Sequence, residues 1–297
     1  MNKNIIVVTG GCGFIGSNLI RRLILKTNYN IISLDNYETG TINNHVKSKK
    51  VKYLKGDINE IDFKLKKYSD SIKTIFHFGE FSRIHQSFID IDKCLYSNIS
   101  GTSKVFYFAL KNRIKIIYSA TSASLGNNGK DKSLSPYAFT KSKNLQLLNH
   151  LNKWFGLSFE ALYFYNVYGP GHIREGKMAT VVGIFEKQFE LGKPLTVTKP
   201  GTQSRKFTHI DDTINGCIYA WKKNKNRHYS LSNMRSYTIL QLAKLFNTKI
   251  KFTKEKFGER KKSLVINKIG KTRIYKINCT KNLKEYIAKF KLNLKKI

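Results

Sequence analysis

The opening stretch, residues 1–35, constrains the fold of this chain more than any other. A short apolar run rich in β-branched residues, Ile5-Ile6-Val7-Val8-Thr9, leads into Gly10-Gly11-Cys12-Gly13-Phe14-Ile15-Gly16. Such a run reads as a strand buried on both faces. Residues 17–25 then place apolar groups at helical period. A second apolar run, Tyr29-Asn30-Ile31-Ile32-Ser33-Leu34, ends at Asp35, nineteen residues after Gly16. Glycines alone are a weak signal. Strand, glycines, helix, strand and acid in that order are a strong one for a dinucleotide site. Gly10, Gly13 and Gly16 let the backbone, with Phe14 and Ile15, approach a pyrophosphate at the helix N-terminus. Asp35 is placed to accept the adenosine ribose hydroxyls. A carboxylate there repels a 2′-phosphate, and Asn36 and Tyr37 follow with no arginine near, so the expected cofactor is NAD rather than NADP.

The alternation continues. Residues 51–54 read as a third strand running into Gly56-Asp57-Ile58, and residues 74–78 as a fourth. One long helix is expected over 92–112, a fifth strand over 114–119 and a sixth over 159–164. Ser135-Pro136 opens a helix with a cap and a first-turn proline; it ends near Gly156. This pattern predicts an α/β fold with a doubly wound parallel sheet. Beyond Gly169-Pro170-Gly171 the texture changes, with helices near 178–191 and 239–246 among short strands. Residues 211–222 read as a helix returning to the sheet, and 281–294 as a terminal amphipathic helix. The expected division is a nucleotide-binding Rossmann domain over 1–165 with a return at about 207–231. A smaller C-terminal substrate-binding lobe takes 166–206 and 232–297.

Tyr137-Ala138-Phe139-Thr140-Lys141 carries the chemistry. Tyr137 and Lys141 are one helical turn apart and share a face. An ammonium beside a phenol favours the phenolate, which suits proton transfer near neutral pH. Tyr137 follows Thr121 by sixteen residues, and Thr121 lies in a hydroxyl-rich run, Tyr118-Ser119-Ala120-Thr121-Ser122-Ala123-Ser124.

Together these residues resemble the extended short-chain dehydrogenase/reductase family, in its nucleotide-sugar epimerase/dehydratase branch. The glycine motif is similar to the family's TGxxGFIG, and Gly56-Asp57-Ile58 to its adenine-side GD(I/L) element. His77-Phe78-Gly79-Glu80 sits where the family turns under the pyrophosphate, and Asn98-Ile99-Ser100-Gly101-Thr102 resembles its NVxGT helix. Tyr165-Asn166-Val167-Tyr168-Gly169-Pro170 resembles NVYGP, and the segment from Thr202 to Asp212 resembles TRDFxHVDD. The resemblance implies an enzyme: an NAD-dependent epimerase acting at carbon 4 of a UDP-hexose through a transient keto-sugar. It assigns Thr121, Tyr137 and Lys141 to catalysis. It assigns Asn36, Asp57, Ile58, Phe78, Gly79 and Asn98 to the cofactor, with Tyr137 and Lys141. Ser82, Thr121, Asn166, Arg205 and Lys256 fall to the substrate, Arg205 holding the diphosphate. It also implies a homodimer built on helices at 92–112 and 136–154.

Departures bear on the substrate. The terminal tyrosine of the family's SS(S/T)xxxYG pattern is Leu125, and the interval from Thr121 to Tyr137 is shortened. Alignment puts Thr121 at the catalytic hydroxyl, with Ser119 and Ser122 as neighbours. Tyr163 replaces an arginine, and Lys256-Phe257-Gly258-Glu259 carries lysine where the family's RPGD element has arginine. A lysine cannot make the bidentate fork to a diphosphate. Ser122-Ala123 stand where sugar 4,6-dehydratases carry an Asp-Glu pair, so elimination of water is poorly supported. Glu175 and Lys177 fall where some members keep a second acid/base group. The alternatives are a reductase, a dehydratase or an epimerase at another carbon. A non-catalytic NAD-binding or nucleic-acid-associated protein is the remote alternative.

The last of these is prompted by charge. The chain has 54 Lys and Arg against 19 Asp and Glu, a net +35. The basic residues are spread along the whole length, and Lys, Asn, Ile, Tyr and Phe are all abundant. That is the composition of an AT-rich genome, and no nucleic-acid module appears, so no specific nucleic-acid partner is expected. No apolar run approaches a membrane span, and Met1-Asn2-Lys3-Asn4 leads straight into the first strand. The expectation is a soluble cytoplasmic protein without a membrane partner. The widely spaced Cys12, Cys94, Cys217 and Cys279 read as free thiols, with no metal-ligand spacing.

Overall fold

The computed structural model describes residues 4–254, 262 and 264–294. Its centre is a nine-stranded sheet. The early strands are β1 (Ile5–Thr9), β2 (Asn30–Asp35), β3 (Val51–Lys55), β4 (Ile72–His77), β5 (Lys115–Thr121) and β6 (Phe159–Phe164). Later come β7 (His228–Asn233), β8 (Lys268–Ile269) and β9 (Thr272–Cys279). The spatial order is β8-β9-β7-β6-β5-β4-β1-β2-β3. Every pairing is parallel except β8 with β9, which is antiparallel. The chain winds outward from β1 in one direction to β3, then restarts at β4 in the other. The crevice at the carboxyl ends of β1 and β4 is therefore the switch point where α/β sheets bind ligands.

Each face of the sheet is covered, which is why its strands read as unbroken apolar runs. Val7 faces α3 (Thr102–Lys111) and α4 (Pro136–Phe155), packing with Phe106, Phe108, Leu145 and Leu148. Its neighbours Ile6 and Val8 point the other way, toward Leu19, Ile20 and Leu23 of α1 (Phe14–Lys26). Ile210, Ile214 and Cys217 of α6 (Ile210–Lys223) complete that side, after α5 (Val181–Glu190) has begun a separate lobe. The alternation is the two-residue period of a strand. The third core gathers Phe185, Leu195, Val197, Leu242, Phe246 and Ile287. It is built by α5, α7 (Ile239–Lys244), α8 (Leu283–Leu294) and a parallel pair, Leu195–Thr198 with Ile250–Thr253.

Two expectations change. The helix expected over 92–112 is broken: α2 (Ile91–Leu95) and α3 flank a π-helical turn, Tyr96–Gly101. The widened turn swings Asn98 inward, fully buried, to hold the loop after β4. Such turns recur at functional sites. Thr272–Cys279, expected in the smaller lobe, runs in the large sheet beside β7. There Ile274 and Cys279 are buried, and the free edge of β7 gains a partner. All four cysteines are buried and unbridged. Among the described residues no helix is long and apolar enough to cross a membrane.

Candidate active site

The floor of the crevice is made of turns. Gly10 has φ +68, and a Cβ there would meet Gly79 Cα at 2.8 Å. A Cβ on Gly16 would meet the Gly10 carbonyl oxygen at 2.2 Å. Three backbone segments therefore touch where any larger residue would push them apart. Thr9 ties the turns together: its Oγ1 accepts from the Phe78 and Gly79 amides, both at 3.1 Å. Gly13 caps α1 with no side-chain bond, which leaves the first-turn N–H groups for an anionic ligand.

Asp35 closes the end of β2. Its Oδ2 accepts from the Cys12 amide and its Oδ1 from the Tyr37 amide, each at 2.8 Å. Each oxygen keeps a further lone pair for a ribose hydroxyl. Asn36 donates to Asp57 Oδ2 at 3.0 Å, and Asp57 caps the turn Ile58–Glu60.

One cleft of about 1190 Å³ runs over this floor. Gly10, Gly13, Phe14, Ile15 and Gly16 line it, as do Asp35, Asn36, Asp57 and Ile58. Phe78, Gly79, Ser82, Thr121, Tyr137 and Lys141 continue the wall, and Asn166 and Arg205 lie at the smaller lobe. Asn98 is not among the lining groups. It donates to the Phe81 carbonyl at 3.2 Å and accepts from the Phe81 amide at 2.8 Å, so it supports the loop from behind. Lys256 lies outside the described residues.

Ser135 starts α4: its Oγ accepts from the Ala138 amide at 3.1 Å, with Pro136 in the first turn. That start sets Tyr137 and Lys141 on the cleft side. The Tyr137 amide donates to Ser87 Oγ at 3.2 Å. Lys141 is held from two sides, donating to the Ser119 carbonyl and to Glu80 Oε2, each at 2.5 Å. Glu80 has a side chain only 1% exposed and gathers further donors. Thr102 Oγ1 donates at 3.0 Å, Tyr118 OH at 3.1 Å and Asn144 Nδ2 at 3.2 Å. Burial first, then the Glu80 charge, keep the Tyr118 phenol protonated. Burial pushes His77 down to about 4, so it is neutral at pH 7. Its ring bridges Thr9 Oγ1 at 2.8 Å and Thr102 Oγ1 at 3.0 Å. Thr9 donating to Nδ1, and Nε2–H to Thr102, closes a chain of bonds that ends on Glu80.

Reading the sequence did not single out Glu80. Its one signal is an acid placed in a glycine turn at the end of a buried strand, where a charge needs a counter-ion. Thr121 is buried, and its Oγ1 accepts from the Ala123 amide at 3.1 Å. Ser122 and Ala123 also line the cleft, and no carboxylate stands there. Of the two candidates for a second acid/base, Lys177 lines the cleft, whereas Glu175 pairs with Lys187 at 3.0 Å outside the lining. Among the described residues no three His, Cys, Asp or Glu side chains form a metal-binding group.

Comparison with known proteins agrees with this geometry. The sequence model of the NAD dependent epimerase/dehydratase family matches residues 6–232. An ADP-L-glycero-D-manno-heptose-6-epimerase of Brachyspira hyodysenteriae is 26% identical, over 80% of this chain and 79% of its own. A Thermotoga maritima UDP-glucose 4-epimerase, solved with UDP-glucose, superposes with a TM-score of 0.85 at 24% identity, covering 98% and 99% of the two chains. A mutant Bacillus cereus UDP-glucuronic acid 4-epimerase, solved with UDP-4-deoxy-4-fluoro-glucuronic acid and NAD, gives 0.85 at 25% identity over 98% and 99%.

Proposed function

The chain belongs to the NAD-dependent epimerase/dehydratase family, and on that footing we propose that it is an epimerase of a nucleotide sugar, acting at carbon 4 of a UDP-hexose. The observation that carries this reading is the Tyr137–Lys141 pair on the same cleft as the glycine cradle, with no carboxylate at positions 122 and 123. The residues present fit the cofactor. Gly10, Gly13 and Gly16 leave room for a pyrophosphate that a Cβ would fill, and Asp35 offers a carboxylate at the ribose end. NAD, when bound, supplies a reversible hydride acceptor and is the cofactor of this family.

The protein's own groups do the rest. Tyr137 takes the proton of the reacting sugar hydroxyl, and Lys141, one helical turn on, lines the same cleft beside it. Thr121 orients the same hydroxyl. Lys141, pinned by Glu80 and the Ser119 carbonyl, cannot wander from that place. The keto-sugar then turns over in the cleft, and Tyr137 returns the proton to the other epimer. The smaller lobe supplies the substrate side, with Asn166 near the sugar and Arg205 on the diphosphate. Turning a sugar over requires room, which a cleft of about 1190 Å³ provides.

Elimination of water has no acid at positions 122 and 123 to drive it. Glu80, the buried carboxylate nearby, is tied to Lys141. A panel of sugar nucleotides incubated with the protein and followed by NMR tests the reading. Inversion at carbon 4 without added cofactor and without net NADH is expected. Net NADH consumption would make it a reductase; a 4-keto-6-deoxy product would make it a dehydratase.

A further inference from the structure

Arg83 has no part in epimerisation as described above. It follows Ser82 on the loop after β4 and lines the cleft. Its Nε donates to the Met178 carbonyl at 2.9 Å, and its Nη2 donates to the same oxygen. Its Nη1 makes only a 3.4 Å contact with the Ser82 carbonyl. A guanidinium has five N–H donors in a rigid fork. The Met178 carbonyl takes one edge, so the other edge remains for the cleft. The Ser87 amide donates to the Arg83 carbonyl at 3.1 Å, and Ser87 Oγ accepts from the Tyr137 amide at 3.2 Å, which ties Arg83 to the segment that holds the base; burial pushes its guanidinium down. Arg83 therefore stands at the sugar end, beside the base, without a carboxylate partner among the described residues.

The acids along the cleft are largely answered. Asp35 accepts from the Cys12 and Tyr37 amides, Glu38 pairs with Lys93 at 2.9 Å, and Asp90 accepts from the Gln86 side chain. Glu80 is consumed by Lys141. Arg83, Lys177 and Lys254 line the cleft as well, and none of the three pairs with a described acid. A diphosphate answers two of these cations. A neutral sugar would leave Arg83 desolvated and unanswered, which is unfavourable.

We propose that Arg83 reads a carboxylate on the sugar, so that the substrate is a nucleotide-linked hexuronate rather than a neutral hexose. The proposal rests on the epimerase reading and narrows it. The fork, fixed in place by Met178, grips a carboxylate at carbon 6 and fixes the ring relative to Tyr137 in both epimers. Arg83 is thus a specificity-determining residue.

UDP-glucuronic acid and UDP-glucose differ only at carbon 6, so they are the probes. Their kcat/KM values are measured on the enzyme as purified, for wild type, Arg83→Met and Arg83→Lys, with binding followed by calorimetry. Wild type should favour the acidic sugar by ~10–100-fold, the range of a hydrogen bond to a charged group. Arg83→Met should collapse that ratio, and Arg83→Lys should restore part of it, because the charge returns without the fork. A wild-type preference for UDP-glucose overturns the proposal, as does an equal loss on both sugars in Arg83→Met. The latter would mean a strap for the Met178 segment or a clamp on the diphosphate. If neither sugar is inverted, the epimerase reading has failed. Calorimetry then decides this proposal by itself, since equal wild-type affinity for the two nucleotides sinks it. Should Arg83→Met not fold, the Arg83→Lys ratio decides.

Discussion

Glu80 and Lys141 form an ion pair whose side chains are 1% and 4% exposed. Removing one member of such a pair leaves the other charge stranded, at a cost of about 3–5 kcal/mol. Glu80→Ala should lower unfolding free energy by that order, and urea titration checks it; a loss below about 1 kcal/mol would show the pair to be idle. Glu80→Gln keeps an acceptor for Tyr118, Thr102 and Asn144 and should lose less stability, while still releasing Lys141 and lowering kcat. Tyr137→Phe removes one hydroxyl only. It should keep the fold and NAD binding while losing ~10²–10⁴-fold in turnover. Near-normal rates on a confirmed substrate would dismiss Tyr137 as the base. Tyr137 and Lys141 were legible because one helical turn joins them. Glu80 was not, because its partners come from residues 102, 118, 141 and 144 on three different elements.

At the scale of elements, α4 carries more apolar groups than one buried stripe needs. Leu145 and Leu148 go to the core, whereas Phe139 and Trp154 stay 41% and 62% exposed. On the neighbouring segments Leu95 and Tyr107 are 43% and 67% exposed. We propose that this face pairs with a second copy of the chain. Light scattering at moderate salt should give a dimer, and Phe139→Glu with Tyr107→Glu should give a folded monomer. A wild-type monomer at micromolar concentration rules the pairing out. The strands and the capped start of α4 were readable from local pattern, since each run of buried apolar residues is itself the signal. The break in the helix over 92–112 was not. It is set by Asn98 reaching the Phe81 backbone and Thr140, contacts between segments remote in sequence.

For the molecule as a whole, three buried imidazoles, His77, His209 and His228, govern its response to acid, each pushed down by burial. Burial pushes His77 and His228 down to about 4, against roughly 6.5 in an unfolded chain. Between those values the unfolded state binds more protons, so stability rises with pH across the window and is lost as pH falls through it. Melting temperature should therefore drop from about pH 6.5 to 5, above the range where carboxylates titrate. His228→Gln should flatten part of that slope, and a flat wild-type profile would remove these histidines from the account. The net charge of +35 adds self-repulsion that salt should relieve.

The contact between Gly10 and Gly79 has a different consequence. The bottom of the cleft is main chain, and main chain has no alphabet. A substitution at either glycine shifts both turns, so this surface cannot be retuned one residue at a time. Any drift toward a new sugar must be written on the walls: at Ser82 and Arg83, at Thr121 to Ala123, and along the 173–184 and 196–205 segments. The base and its lysine would stay where they are while the ligand changed around them.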